Sequence, residues 1–293
     1  MPKPAVAPSV DVCVCTYRRA SLVQTLASID AQVGVVGAVR ILVADNDETP
    51  SAKPVVDGGA GRWPRVYLHA PARNISVARN ALLDASTADF VAWIDDDEIA
   101  DPTWLDSLLV AIGDHDAAFG PVRAVYPSNA PDWILKSDLH STRAVDTRQG
   151  VVTGYTSNAL VRRAAVGRER FLEALGRSGG EDTEFFTRLY GQGRRYVAAP
   201  EASVSEPTAA DRLTLKWLTH RAFRAGQTHA LTYVAAGQRG RGLVSAMAKA
   251  AACMGLSTVL AWNGVARRRL WVRGALHRGV AARLLGVRDL QLY

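Results

Sequence analysis

Cysteine is scarce. Cys13, Cys15 and Cys253 are the only three in 293 residues, too few for the disulfide framework that stabilises small secreted domains. Met1 to Ser9 carries one lysine and no apolar run of signal-peptide length. Both observations point to a reducing, cytoplasmic compartment. Also missing are a G-x-x-x-x-G-K-[ST] phosphate loop and a strand-linked G-x-G-x-x-G turn. There is no G-x-S-x-G elbow and no clustered His/Cys metal spacing. These absences argue against P-loop nucleotide hydrolases, dinucleotide-binding dehydrogenases, elbow-type hydrolases and zinc modules. Gly58, Gly59 and Gly61 fall in a loop before Trp63, not between a strand and a helix. No internal repeat or low-complexity segment interrupts the chain.

What is present is ordinary in bulk and uneven in charge. Apolar residues make up 48% and charged residues 22%, the composition of a soluble globular protein. The length suits one large α/β domain, or a catalytic domain with a small appendage. The net charge is +7. Nine lysines and arginines, opposed only by Asp289, lie between Arg241 and Tyr293, so the basicity belongs to the tail. Such a tail favours an anionic surface, a membrane leaflet or nucleic acid; a merely solvated face is the plainer reading.

Short apolar runs alternate with stretches of helical period, the pattern of a mostly parallel sheet flanked by helices. Strands are expected at Val10–Cys15, Ile41–Ala44, Val66–Leu68, Phe90–Ile94, near Ala117–Val122 and at Asn158–Arg162. Helices are expected over Leu22–Ile29, over Ser76–Ala85, after Asp101 as N-cap with Pro102 in the first turn, and after Asp182. Arg123–Gly150 reads as a long irregular loop, of the kind that forms lids or acceptor walls. Beyond about Ala209 the chain is helical. Within it, 242–262 is apolar, rich in alanine and interrupted by Lys249, and suits a packed helix, a membrane-seated helix or a span.

The sharpest chemical signal is Asp95, Asp96, Asp97 and Glu98 at the end of an apolar strand. Four adjacent carboxylates repel one another and are costly to desolvate. A divalent cation with hard oxygen preference, Mg2+ or Mn2+, accounts for them, because such ions bind through one or two carboxylates plus substrate phosphates. Strand alternation puts Asp95 and Asp97 on one face, at the sheet edge where open α/β folds bind ligands. Asp45, with Asn46 and Asp47, ends another strand at the same edge and suits a base or ribose; alone, it is an ordinary turn. Arg73, Arg79 and the Thr16-Tyr17-Arg18 turn bring donors suited to phosphate. Gly179-Gly180-Glu181-Asp182 is a second acidic site, readable as helix capping with Ser178 or as the base a transferase needs, worth roughly 10²–10⁴-fold in rate.

Taken together, Val14-Cys15-Thr16-Tyr17-Arg18-Arg19, Val43-Ala44-Asp45-Asn46-Asp47, Ala78-Arg79-Asn80, Ile94-Asp95-Asp96-Asp97-Glu98 and Gly180-Glu181-Asp182 resemble family 2 glycosyltransferases in order and spacing, from about residue 9 to 212. The run Gly179 to Phe186 resembles bacterial exopolysaccharide glycosyltransferases of the succinoglycan type. The resemblance implies the glycosyltransferase A-type fold, a Rossmann-like mixed, mostly parallel sheet flanked by helices. The catalytic domain would span 1–212, with a nucleotide-binding half over about 9–120 and an acceptor half over 121–212. A helical, basic extension would cover 213–293.

The same resemblance assigns roles. Thr16, Tyr17 and Asp45 would hold the nucleoside, with Arg18 and Asp96 in the same donor site and Arg79 on the base or diphosphate. Asp97 would ligate the metal (Mn2+ or Mg2+) directly, and Asp95 would lie nearer the ribose. Where many relatives carry a metal-binding histidine this chain has Glu206, and where they commonly have Asn after Tyr it has Arg18. Asp182 would be the base, with Glu181 beside it. The implied reaction is a single inverting displacement that moves a sugar from a nucleotide-diphosphate donor, a UDP-sugar foremost, to a hydroxyl of a saccharide or lipid-linked saccharide. The basic tail then fits a peripheral position on the inner face of the plasma membrane, with no nucleic acid as partner. Two other readings compete. A sugar nucleotidyltransferase would need a glycine-rich, lysine-bearing loop where Thr16 to Ala20 stands. A nucleic-acid binder would need more stacking aromatics than Trp262, Trp271 and Tyr293 among the tail's cations.

Overall fold

The computed structural model describes residues 7–144, 146–147 and 149–288. Asp289 and Tyr293, which the charge and stacking arguments counted, lie outside them, as does the start of the Met1–Ser9 segment. In chain order the elements are β1 (Val10–Thr16), α1 (Leu22–Asp30), β2 (Val39–Asp45), α2 (Lys53–Asp57), β3 (Arg65–His69), α3 (Ile75–Ala85), β4 (Phe90–Ile94), β5 (Ile99–Ala100), α4 (Trp104–Ile112), β6 (Ala117–Phe119), β7 (Val122–Val125) and α5 (Asp132–Ser137). There follow β8 (Asp146–Thr147), β9 (Gly150–Val151), β10 (Asn158–Arg162), α6 (Arg163–Val166), α7 (Glu181–Gly191), β11 (Tyr196–Ala198), β12 (Val204–Pro207), α8 (Leu215–Ala235), α9 (Arg239–Val259) and α10 (Gly264–Leu284).

Among the described residues nine strands form one sheet in the order β3-β2-β1-β4-β10-β6-β11-β9-β8. The first four run parallel, and β10 is antiparallel to both β4 and β6. The expected mixed, mostly parallel sheet flanked by helices is present. Alternation along β1 explains its two-sided burial. Val10, Val12 and Val14 face a core built with Leu22, Leu26 and Ile29 of α1 and Trp104, Leu105 and Leu108 of α4. Cys13 and Cys15 face the other core, with Leu82 and Leu83 of α3 and Phe185 and Phe186 of α7. Each large apolar side chain so buried contributes about 1.5–3 kcal/mol before entropy is counted.

The helix starts depart from the sequence expectation more than the strands do. Asn74 caps α3, its side chain accepting from the Ser76 and Val77 amides. Before α4, Thr103 rather than Asp101 holds the N-cap position. The expectation of an Asp101 cap fails because the Trp104 amide bonds the Asp101 carbonyl in a preceding turn.

The chain forms two compact units. The first comprises the chain up to Arg123, Thr142–Arg177 and Phe185–Glu206; the second comprises Ala124–Ser141, Ser178–Glu184 and the chain from Pro207 on. The stretch Arg123–Gly150, expected as one irregular loop, instead contains α5. Its Ile134 packs with Leu213 and Leu218 and half-buried Trp133 and Val272, so apolar side chains the loop reading ignored attach it to the tail helices. In this second unit α10 packs against both α8 and α9, which hardly touch each other. Gly226 and Gly279 let α8 and α10 meet backbone to backbone: a Cβ on either would come within 1.9 Å of a carbonyl oxygen, Leu276 and Phe223 respectively.

Candidate active site

Parallel pairing aligns the carboxyl ends of the central strands. Thr16 at the end of β1 lies opposite Asp45 at the end of β2, and β4 on the other side of β1 delivers Asp95 just past Ile94. The acidic run then leaves the strand. The Asp95 amide donates to Glu98 Oε2 at 2.9 Å, and the Glu98 amide to the Asp95 carbonyl at 3.3 Å. This closed turn replaces the strand alternation expected to aim Asp95 and Asp97 alike. It nevertheless sorts the four acids into pairs: Asp96 and Glu98 are buried, while Asp95 and Asp97 reach the open side.

Each acid has a distinct environment. Thr16 donates its hydroxyl proton to Asp96 Oδ2 at 2.7 Å, which ties the β1 turn to the acidic turn. Burial, more than that bond or the neighbouring Asp97, sets the Asp96 carboxyl, pushing it up to about 6. Burial likewise pushes Asp95 up to about 7 against the pull of Arg79, with Asp97, Asp96 and Glu206 adding repulsion. Glu98 lies well above the carboxylate range, first from burial and then from Asp95. The cations in reach are partial answers: Arg79 Nη2 is 4.0 Å from Asp95 and Arg19 Nη1 is 3.6 Å from Asp97.

Glu206 enters through sheet pairing. Ser205 of β12 stands opposite Ile99 of β5, so the next residue falls beside the acidic turn and is felt electrostatically by Asp95 and Glu98. Among the described residues no group of three His, Cys, Asp or Glu side chains forms a ready-made metal cage. The partly open Asp95 and Asp97, backed by the buried Asp96 and Glu98, fit instead an Mg2+- or Mn2+-type ion that shares its ligands with substrate phosphates.

The donor-side residues divide in ways the sequence did not show. Asp45 is fully buried and spends its oxygens locally. It accepts from the Asp47 and Ala52 amides at 3.1 and 2.7 Å and from the Tyr67 hydroxyl at 3.1 Å. Arg18 has a left-handed backbone, φ 53°, and donates from Nε to Asp47 Oδ2 at 2.8 Å. That bond, with weaker ones from Thr49, Ser51 and the Glu48 amide, outweighs the upward push of burial and holds the Asp47 carboxyl far below the usual range. Arg19, passed over in the sequence reading, is the arginine that faces Asp96 and Asp97. The signal was the Arg-Arg pair after Tyr17; which of the two turns inward depends on the local backbone. Tyr17 is partly exposed and flanked by two guanidinium groups, Arg18 at 5.4 Å and Arg73 at 5.9 Å from its ring centre.

The second acidic site belongs to the second unit. Gly179 and Gly180 have φ of 80° and 90°, and a Cβ on Gly180 would come within 2.4 Å of the Thr228 side chain. The glycines therefore hold one tightly packed left-handed turn. The turn opens α7 at buried Glu181, and Asp182 Oδ1 accepts from the Thr183 amide at 2.6 Å.

Comparison with known proteins places this geometry. The chain is 44% identical to the succinoglycan biosynthesis protein ExoM of Rhizobium meliloti, over 97% of this chain and 95% of that one. It is 28% identical to the glucosyl-dolichyl phosphate glucuronosyltransferase of Haloferax volcanii, over 74% and 75%. In fold it resembles the mannosyltransferase PcManGT from Pyrobaculum calidifontis, solved with GDP-Man and Mn2+, with TM-score 0.61, 20% identity and coverage of 97% of this chain and 91% of that one. It also resembles S. aureus TarS 1–349 in complex with UDP, with TM-score 0.55, 16% identity and coverage of 77% and 65%. It spans 42% of a longer TarS chain. These likenesses establish the glycosyltransferase A-type fold. The family model for glycosyl transferase family 2 matches residues 11–169. With more than half of its length inside that model and a full-length relative at 44% identity, the chain belongs to glycosyl transferase family 2.

Proposed function

We propose that this glycosyltransferase moves a sugar from a nucleotide-diphosphate donor, a UDP-sugar foremost, to a saccharide hydroxyl with inversion, in bacterial exopolysaccharide synthesis. The observation that carries the reading is the acidic turn after β4, which gathers four carboxyl groups at the carboxyl end of the strand and leaves Asp95 and Asp97 on the open side. Asp97 and Asp95, with Glu206 beside them, would hold Mg2+ or Mn2+, which when bound offsets negative charge on the departing diphosphate. The similarity to ExoM supports the polymer assignment.

The chain's own residues then have separate tasks. Tyr17, stiffened by Arg18 and Arg73, offers a platform for the base; Thr16 and Asp45 shape the β1 and β2 ends around the nucleoside. Arg79 presents its guanidinium to the diphosphate. Asp182 accepts the proton of the acceptor hydroxyl as its oxygen attacks the anomeric carbon. The bond from that carbon to the β-phosphate oxygen breaks on the opposite side, which inverts the centre. Glu181, buried at the start of α7, keeps that turn in place. The acceptor would be a saccharide or a lipid-linked saccharide, the latter met at the inner face of the plasma membrane.

A thermal-shift series with UDP, GDP, TDP and CMP, each with and without Mn2+, tests the donor site, because a ligand of the folded state raises the melting temperature. One diphosphate should stabilise the protein only with Mn2+, and Asp97→Ala should remove that shift while leaving the ligand-free melting temperature within about 2 °C, the expectation for a partly open side chain. Equal shifts without metal, or in Asp97→Ala, would overturn the metal-dependent reading.

A further inference from the structure

Helix α9 is built inside out. Its buried residues are Gly242, Ala246, Ala250, Cys253 and Ser257, a stripe of small side chains at spacings of three and four. A Cβ added to Gly274 of α10 would lie 3.4 Å from Cys253 Cβ, and Trp271 of α10 donates its indole N–H to Ser257 Oγ at 3.1 Å. The small stripe is therefore the face that packs on α10. The bulkier apolar side chains point the other way. Val244, Met247, Met254 and Val259 recur along the outer face, with Val244 70% and Met254 59% exposed. A water-facing helix normally shows the reverse order, large apolar groups inward and polar groups outward.

Two further observations say what covers this face. The first is aromatic. Trp262, 81% exposed, follows the end of α9, and half-exposed Trp271 lies alongside Ser257 with Arg267 5.9 Å from its ring centre. Tryptophan and arginine together favour the boundary between hydrocarbon and lipid headgroups. The second is charge. From Arg212 to Arg288 the sequence holds fourteen lysines and arginines and no aspartate or glutamate. A second copy docked through α9 would set acid-free helices against each other, with no carboxylate of α8, α9 or α10 to pair with their cations. An anionic bilayer supplies what is lacking.

We infer that the outer face of α9, with Trp262 and Trp271 at its end, docks in the plane of an anionic lipid surface. The helix is long and apolar enough to cross a bilayer. Against a span stand the small stripe already committed to α10, Lys249 in mid-helix and Arg239 and Arg241 at the start. An in-plane helix leaves all three cations at headgroup level. The inference deepens the membrane part of the proposed function, and its test does not depend on sugar transfer.

The full chain is mixed with vesicles of phosphatidylcholine alone or with 30% phosphatidylglycerol, and binding is read by flotation and by tryptophan emission; the lipid fraction is about a third, enough for a strongly negative surface. The expected result is flotation and a blue shift with the anionic vesicles only. Met247→Glu/Met254→Glu, both on the exposed face, should weaken binding about tenfold or more and leave the melting temperature and any nucleotide shift unchanged. Absence of binding by folded protein would overturn the inference. So would binding that the double variant retains, which would make charge alone responsible. A dimer in solution that the double variant dissolves would assign the face to a second copy. Resistance of the vesicle-bound protein to alkaline carbonate extraction would show a span.

Discussion

Asp11 lies at the opposite end of β1 from Thr16, yet the fold around the site depends on it. It is fully buried at the start of β1 and accepts five hydrogen bonds. Two come from Arg40, at 2.8 Å each; the others come from the Ser86 hydroxyl and the Thr87 and Ala88 amides at 2.8, 3.0 and 3.2 Å. The last three fix the turn between α3 and β4, and so the start of the strand that delivers the acidic turn. In Asp11→Ala those three donors face a methyl group, at about 1 kcal/mol each. The Arg40 ion pair adds little, because the Arg40 side chain is 39% exposed and solvent screens such pairs to about 0.5 kcal/mol. The expected loss is about 3 kcal/mol, or roughly 6–12 °C in melting temperature for a domain of this size. The pH dependence gives a second check. Burial pushes the Asp11 carboxyl up, but the Arg40, Ser86 and Ala88 bonds outweigh it and the net shift is downward. A depressed carboxylate stabilises the fold above its unfolded value of about 3.9 and loses that contribution as pH falls through the folded value. The gap between wild type and Asp11→Ala should therefore stay constant from pH 7 to about 5 and narrow below about 4. Melting curves across that range decide it. A shift under about 3 °C at pH 7, or a gap that widens on acidification, would refute the assignment of Asp11 as the turn's anchor.

Two further outcomes follow from the acidic turn of the second unit. Gly180→Ala should cost about 1–3 kcal/mol, since it forces a side chain into φ 90° against Thr228; Gly191→Ala, where a Cβ meets nothing within 4 Å, is the neutral control in the same melting assay. Asp182→Asn should lower kcat by roughly 10²–10⁴-fold while keeping the metal-dependent nucleotide shift; loss of that shift as well would give Asp182 a part in donor binding or folding rather than proton transfer.

Much of this protein is legible in its sequence. Apolar runs at period two and helical stretches at period 3.6 located β1, β4 and β10 nearly to the residue, because those segments bury whole faces and their local preferences agree with the fold. The succession of Thr16-Tyr17, Asp45, Arg79 and the acidic run was enough for the family, since hard-cation and phosphate chemistry restricts residue types more tightly than packing does. What the sequence could not decide was direction. Whether Arg18 or Arg19 turns toward the acids depends on one left-handed residue. Whether Asp95 and Asp97 share a face depends on the turn that Glu98 closes, and Glu206 reaches them only through the pairing of β12 with β5.

The same limit governs the tail. Composition alone made 242–262 an apolar helix and 213–293 basic. Only packing against α10 put the small residues of α9 inside and left its methionines and valines outside. Sequence sets which side chains lie on a common face of a helix; which face is buried depends on what else packs there, and that is a property of the tertiary structure.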